Sequence, residues 1–478
     1  MRYPNIIVLV LDAVRARNMS VYGYPERTTP HIDAFAERHI LFERAFTTST
    51  WTIPTHQSML SGLYLSQHGI ETMDTNLRLN ESVVSLPAAL RKIGYDTAGF
   101  SQNLLFSPHF HFDTFDEFHT PETLSGAATG QTYPQKPLPG NSSMGMLRRY
   151  AHKSMSLRPF IRSLEEWITA RPPNNPFFLV ANISHVHAPW APSPVILLRK
   201  LGRLLPGLFN PEFSDPGPFQ FNSQKRPVTD RHREIWRRLY NAALIHTDRE
   251  IGNLLRRLQE WLGWKDTVLI LTADHGEILG DHRDIFGHTL TLNDRVMHIP
   301  LVLKHPDYSR PGRVNGVVQL LDLYPSIVGW TGAGGMPAAQ LQRPPLDRAL
   351  GAPEDIAGVA IAEEDYTRGY DVIAGLRKVN AEMPPDLYPR SQTAYRTANF
   401  KLMEYDDRPT AVFNLCTDPD EESGYTAERP DGHLETIRVM EAELASWRAN
   451  LETFPPRHAT SAPEGVFTQR LKDLGYLP

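Results

Sequence analysis

Cysteine is almost absent from this chain. Cys416 is the one thiol among 478 residues, which excludes an internal disulfide and any metal centre built from several cysteines. Long apolar runs are missing too: none approaches the roughly 20 residues that a membrane-spanning helix needs. Nor is there a surplus of positive charge. A net charge of −5 and a pI near 6.4 argue against a nucleic-acid binder. The apolar run Ile6-Ile7-Val8-Leu9-Val10-Leu11 has no small-residue cleavage site and leads straight into Asp12. A buried strand is the expectation there, and a cytoplasmic location the default one.

What is present points to an α/β protein. With 41% hydrophobic residues, the chain can bury a large core and exceeds one average domain. Apolar, β-branched runs at 5–11, Phe177–Ile183, Thr267–Thr272 and Ile299–Lys304 read as strands buried on both faces. Between them lie helical patterns, the clearest over 232–262, where Ile235, Leu239, Ala242, Ile245, Ile251 and Leu255 recur at helical spacing. Alternating strands and helices predict a largely parallel central sheet with helices on both faces. Residues 107–145 and 191–230 are rich in turn-forming residues or proline and read as insertions, which at that length are often functional lids. From about residue 380 short strands are expected (Thr393–Thr397, Phe400–Tyr405, Ala411–Leu415), then an amphipathic helix near 432–452. This gives a catalytic domain over 1–380 and a small α+β unit over 381–478.

Parallel sheets gather function at the carboxyl ends of their strands, and several polar groups fall there. Asp12 ends the first strand. Thr52 precedes Pro54 and a helical stretch reaching Ser61-Gly62, so its hydroxyl is expected at a helix N-terminus, a setting that favours anions. Taken alone, an ordinary N-cap threonine is the commoner arrangement. The third long run ends in Asp274-His275-Gly276-Glu277. Asp oxygen and His nitrogen are good ligands for Zn²⁺ or Mn²⁺, and Glu277, Asp281 and His282 add polarity to the following loop. His185 and His187 follow another strand and share one face if the chain stays extended; His288 precedes the last run.

In this order and spacing the chain resembles the sulfatase family of the alkaline phosphatase superfamily. The likeness runs through Pro4-Asn5-Ile6 to Asp12, Thr29-Pro30-His31-Ile32-Asp33, and Ala45-Phe46 through Leu60-Ser61-Gly62-Leu63-Tyr64. It continues through Gly94-Tyr95-Asp96-Thr97-Ala98, His187-Ala188-Pro189-Trp190, Asp248-Arg249-Glu250-Ile251-Gly252 and Asp274-His275-Gly276. Arg396-Thr397, Lys401-Leu402 and Asn414-Leu415 to Asp418-Pro419-Asp420-Glu421 complete it. The departures bear on the chemistry. Ala13 stands where the family usually has a second acid, and Thr52 where it has the Cys or Ser converted to formylglycine. His56 replaces its arginine, His275 its asparagine and His288 its lysine, while Phe100-Ser101-Gln102-Asn103 lacks its Gly-Lys-Trp-His stretch.

The resemblance implies an alkaline-phosphatase-like fold and one divalent ion (Mn, Zn, Mg or Ca) held by Asp12, Thr52, Asp274 and His275, a second metal being possible but unplaced. It makes Thr52, His187 and His288 the catalytic candidates, and His56, His185 and Asn103 the substrate-binding ones. A hydrolase of phosphate, phosphodiester, phosphonate or sulfate esters is expected, acting through a covalent Thr52 intermediate. Phosphorus esters are favoured, because a threonyl sulfate lacks the hydrate hydroxyl through which formylglycine expels sulfate. Small-molecule, glycan or lipid-headgroup esters are the expected substrates. A sulfatase, a phosphoryl-group transferase and an inactive anion-binding homologue are the alternatives.

Overall fold

The computed structural model describes residues 3–74, 76–120, 157–172, 175–188, 190, 192–202, 218–308, 310–351, 358–367, 371–429 and 432–458. Residues 121–145 of the first expected insertion and 203–217 of the second lie outside them. The nine-stranded sheet of the described residues is built from β1 (Asn5–Leu11), β2 (Ile40–Phe46), β3 (Asp96–Ser101), β4 (Glu117–His119), β5 (Phe177–Ile183), β6 (Thr267–Thr272), β7 (His298–Ile299), β8 (Leu301–Lys304) and β9 (Gly312–Gln319). The spatial order is β7-β2-β8-β6-β1-β5-β3-β4, with β9 also on β2. Helices flank this sheet, and the expected α/β architecture is what forms.

β1 lies in the middle, parallel to β5 on one side and β6 on the other. Every side chain from Ile6 to Leu11 is buried, which is why the run is apolar throughout and does not alternate. Val10 aligns with both Asn182 and Thr272, so these three strands end at one edge. The run at 299–304 departs from the expected single strand. Pro300 offers no N–H to a ladder, and the chain splits there into β7 and β8; both run antiparallel to β2, and β8 also runs antiparallel to β6.

The long helix α2 (Asp230–Leu262) is capped by the Thr229 side chain and stopped at Gly263, whose φ is 64°. Its apolar stripe, including Ile235, Leu239, Leu254 and Leu255, is buried, as the periodicity requires. A second, antiparallel sheet joins β10 (Ala360–Asp365), β11 (Ser391–Arg396), β12 (Phe400–Tyr405) and β13 (Ala411–Asn414). It packs with α3 (Leu434–Ala449) through Ile437, Met440 and Leu444. This sheet draws β10 from upstream of residue 381, the boundary expected from composition.

Candidate active site

Asp12 leaves β1 with its N–H donating to the Ile183 carbonyl at 3.0 Å. Ala13 then adopts φ 63°, a left-handed conformation that costs an alanine roughly 1 kcal/mol or more. Two contacts hold it there: its N–H donates to Asp274 Oδ1 at 3.2 Å, and its carbonyl accepts the Tyr240 hydroxyl at 2.8 Å. The sharp turn directs Asp12 to the sheet edge.

Beyond β6, Asp274 Oδ1 also accepts the His275 N–H at 2.9 Å, and His275 Nδ1 donates to the Gly276 carbonyl at 2.9 Å. The tautomer so fixed leaves Nε2 as a lone-pair donor. Gly276 is required because a Cβ there would sit 2.2 Å from the Arg295 carbonyl oxygen. Asp12 Oδ1, Asp274 Oδ2 and His275 Nε2 are buried without hydrogen-bond partners. Nε2 lies 3.7 Å from Asp12 Oδ1 and 3.5 Å from Asp274 Oδ2, and all three atoms fall within 4.8 Å of one another. Unsatisfied buried atoms are rare and call for an explanation; a divalent cation placed here would satisfy all three. Two carboxylates and an imidazole suit Zn²⁺ or Mn²⁺ best, then Mg²⁺ and Ca²⁺.

The electrostatics agree. Burial pushes the Asp274 carboxyl up to about 7 and raises that of Asp12, with Asp274 adding to the effect. Burial also pushes His275 down to about 4, assisted by His288. The pocket therefore lacks positive charge.

Thr52 is the first residue of α1 (Thr52–Ser61), and Trp51 is the N-cap. Its hydroxyl is thus free of the usual capping duty. It accepts from Asn103 Nδ2 at 3.1 Å. The same Asn103 amide donates to Asp12 Oδ2 at 2.7 Å, so one side chain joins the strand-end acid to the threonine.

The other residues singled out in the sequence divide into two groups. His288 stacks near His275, ring centroids 4.2 Å apart, and His187 lies 5.1 Å from His288. His56 is wholly buried; its Nδ1 pairs with the Thr52 carbonyl at 2.8 Å and its Nε2 is 3.3 Å from Asn182 Nδ2. Burial pushes it down to about 3. His185 and His187 do not share a face, because the chain turns after β5, His187 N–H meeting the Ser184 carbonyl at 3.3 Å. His185 faces Gln102 and His246 instead. Glu277, read from the sequence only as loop polarity, is 1% exposed. It is 3.3 Å from His288 Nδ1, and its other oxygen is buried without a hydrogen-bond partner. Burial pushes it up to about 7. Its place two residues past His275 was the available signal.

The sulfatase family model matches residues 4–333. The multifunctional alkaline phosphatase superfamily protein PehA of Trinickia caryophylli is 24% identical, over 98% of this chain and 100% of its own length. Arylsulfatase K of Gallus gallus is 22% identical, over 93% of this chain and 82% of its own. The phosphonate monoester hydrolase of Silicibacter pomeroyi shares the fold with a TM-score of 0.68, at 19% identity over 94% of this chain and 96% of that one. That of Agrobacterium radiobacter superposes with a TM-score of 0.65, at 18% identity over 93% and 95%.

Proposed function

Because the chain belongs to the sulfatase family and is an ester-bond hydrolase, we propose that it cleaves phosphorus esters through a covalent Thr52 intermediate. The observation that carries this reading is the Thr52 hydroxyl, held by the Asn103 amide that also binds Asp12, beside three converging, unpartnered ligand atoms.

Asp12, Asp274 and His275, with the Thr52 oxygen beside them, would hold the divalent ion. When bound, it supplies Lewis acidity to a nonbridging ester oxygen and to the threonine oxygen. Asn103 stabilises charge on the Thr52 oxygen as its proton passes to a water molecule. Thr52 Oγ1 attacks phosphorus in line; the new O–P bond forms as the bond to the leaving oxygen breaks. His187 or His288 delivers a proton to that oxygen. Water then cleaves the threonyl ester and restores the hydroxyl. The N-terminus of α1 offers N–H groups to the anionic group in flight.

Threonine favours phosphorus over sulfur. It has no aldehyde hydrate, so a threonyl sulfate would require a second displacement at sulfur, whereas a threonyl phosphate yields to water. The test compares wild type and Thr52→Ala on matched 4-nitrophenyl phosphate, phosphodiester, phosphonate and sulfate esters, with Mn²⁺ and then EDTA. Turnover of a phosphorus ester that needs both Thr52 and metal is expected. Turnover of the sulfate alone would overturn the choice of ester, and full activity in Thr52→Ala would overturn the nucleophile.

A further inference from the structure

The C-terminal sheet reaches the site through one carboxylate. Glu364 on β10 is 1% exposed and touches none of the converging ligand atoms. Its Oε1 accepts the Thr50 hydroxyl at 2.5 Å, and its Oε2 accepts the Gln392 amide at 2.6 Å. The Tyr366 hydroxyl is close enough to act on its charge, and that oxygen accepts the Leu290 N–H at 2.5 Å. Two donated bonds, one on each oxygen, suit a carboxylate's acceptor-only character.

What these partners flank is informative. Thr50 lies two residues before Thr52, and Leu290 two residues after His288. Leu290 has φ 82°, a left-handed conformation that a leucine keeps only where its surroundings enforce it. Its buried side chain packs with Ile278, Ile285, Val296 and Tyr366, and its N–H is taken by Tyr366. The neighbours of Glu364 grip the same turn. The Glu363 N–H donates to the Thr48 carbonyl at 3.0 Å. The Asp365 N–H donates to Glu71 at 3.0 Å, and Glu71 is a hydrogen-bond partner of Trp51.

We propose that Glu364 is a positioning residue that ties the Thr52 turn to the His288 loop and sets the spacing between the nucleophile and His288, one of the two candidate proton donors. This rests on the reading of Thr52 as the nucleophile. Since Glu364 meets the Thr52 turn through Thr50 and the His288 loop at Leu290 and Tyr366, its loss is expected to act on the chemical step and to leave binding intact. Misplacing a reacting group by about 1 Å can cost on the order of a hundredfold in rate.

Thr50→Val and Tyr366→Phe each delete one arm at nearly constant shape; Glu364→Gln weakens both, and Thr50→Ser restores the hydroxyl. The measurement is kcat and KM on the ester that wild type turns over fastest, at saturating Mn²⁺, with thermal unfolding followed in parallel and Thr52→Ala alongside. Expected is a fall in kcat of about tenfold or more for Thr50→Val and Tyr366→Phe, KM within about threefold of wild type, and recovery in Thr50→Ser. In the Glu364→Gln background, Thr50→Val should add little further loss. Unchanged kcat per folded molecule, with only the unfolding temperature lowered, would reduce Glu364 to a structural brace and overturn the proposal while leaving an inactive Thr52→Ala intact. An active Thr52→Ala would remove the reading on which the proposal rests, and the proposal with it. Should Glu364→Gln fail to fold, the two single-arm variants decide the matter alone.

Discussion

Asn103→Leu isolates the hydrogen bonds of the site from its shape. Leucine keeps asparagine's branched heavy-atom skeleton with larger methyl ends, so no room opens for a replacement water, yet both donated bonds disappear. The bond to Asp12 Oδ2, at 2.7 Å, is charge-assisted and contributes about 1.5–3 kcal/mol; the one to Thr52, at 3.1 Å, contributes about 1 kcal/mol in the neutral state. As the threonine loses its proton, the second bond becomes charge-assisted as well. If both act in the transition state, their loss comes to about 3 kcal/mol, or roughly 150-fold in kcat/KM. The Leu105 N–H, which now donates to Asn103 Oδ1 at 2.9 Å, also loses its acceptor, so a drop in unfolding temperature accompanies the rate loss. The assay is kcat/KM at saturating Mn²⁺ on the best phosphorus ester, with folded fraction checked by thermal unfolding. A kcat/KM within about threefold of wild type, in folded protein, would refute the claim that Asn103 prepares the threonine.

Three further outcomes follow from the same geometry. Mn²⁺ at 100 times its Kd should stabilise the protein by about 2.7 kcal/mol; Asp274→Asn should abolish this shift in a thermal melt, and an unaltered shift would move the cation elsewhere. Metal affinity should weaken as pH falls. Asp274 carries a proton below about 7 in the metal-free protein, and a cation must displace it, so affinity drops by up to about tenfold per unit below that pH and levels off above it. His275, held near 4, does not compete in that range, and a flat calorimetric profile between about pH 5.5 and 8 would contradict the assignment. Gly276→Ala sets a methyl against the Arg295 carbonyl; destabilisation by about 1–3 kcal/mol and weaker metal binding are expected, whereas wild-type unfolding would show that the turn relaxes without cost.

The strands and long helix were legible because their signals are local and periodic. β1 is apolar throughout since both its neighbours are parallel strands, and Asp12 and Asp274-His275 stood out as polar residues at strand ends. Thr52 was legible as a helix start, but its relief from capping was not, because the N-cap duty passes to Trp51, a residue without a capping side chain. The partition of His185 and His187 depended on a turn that alternation alone does not encode. Asn103 bridges Asp12 and Thr52 across separations of 91 and 51 residues, and Glu364 meets Thr50 across 314. Such pairings belong to the fold, and one strand of sequence carries no trace of them. Pro300, by contrast, was a readable strand-breaker within an apolar run.

The long separations also order events during synthesis. Asp12 and Thr52 leave the ribosome early, yet Ala13 finds its Asp274 partner only 261 residues later, and the clasp on Thr50 must wait for β10. Until the later strands slot beside β1, the early residues are an acid and a hydroxyl with nothing to converge on. A chain released before residue 274 keeps Asp12 and Thr52 but lacks Asp274 and His275. The converging groups therefore come together only as the sheet is completed, and an unfinished copy holds them apart.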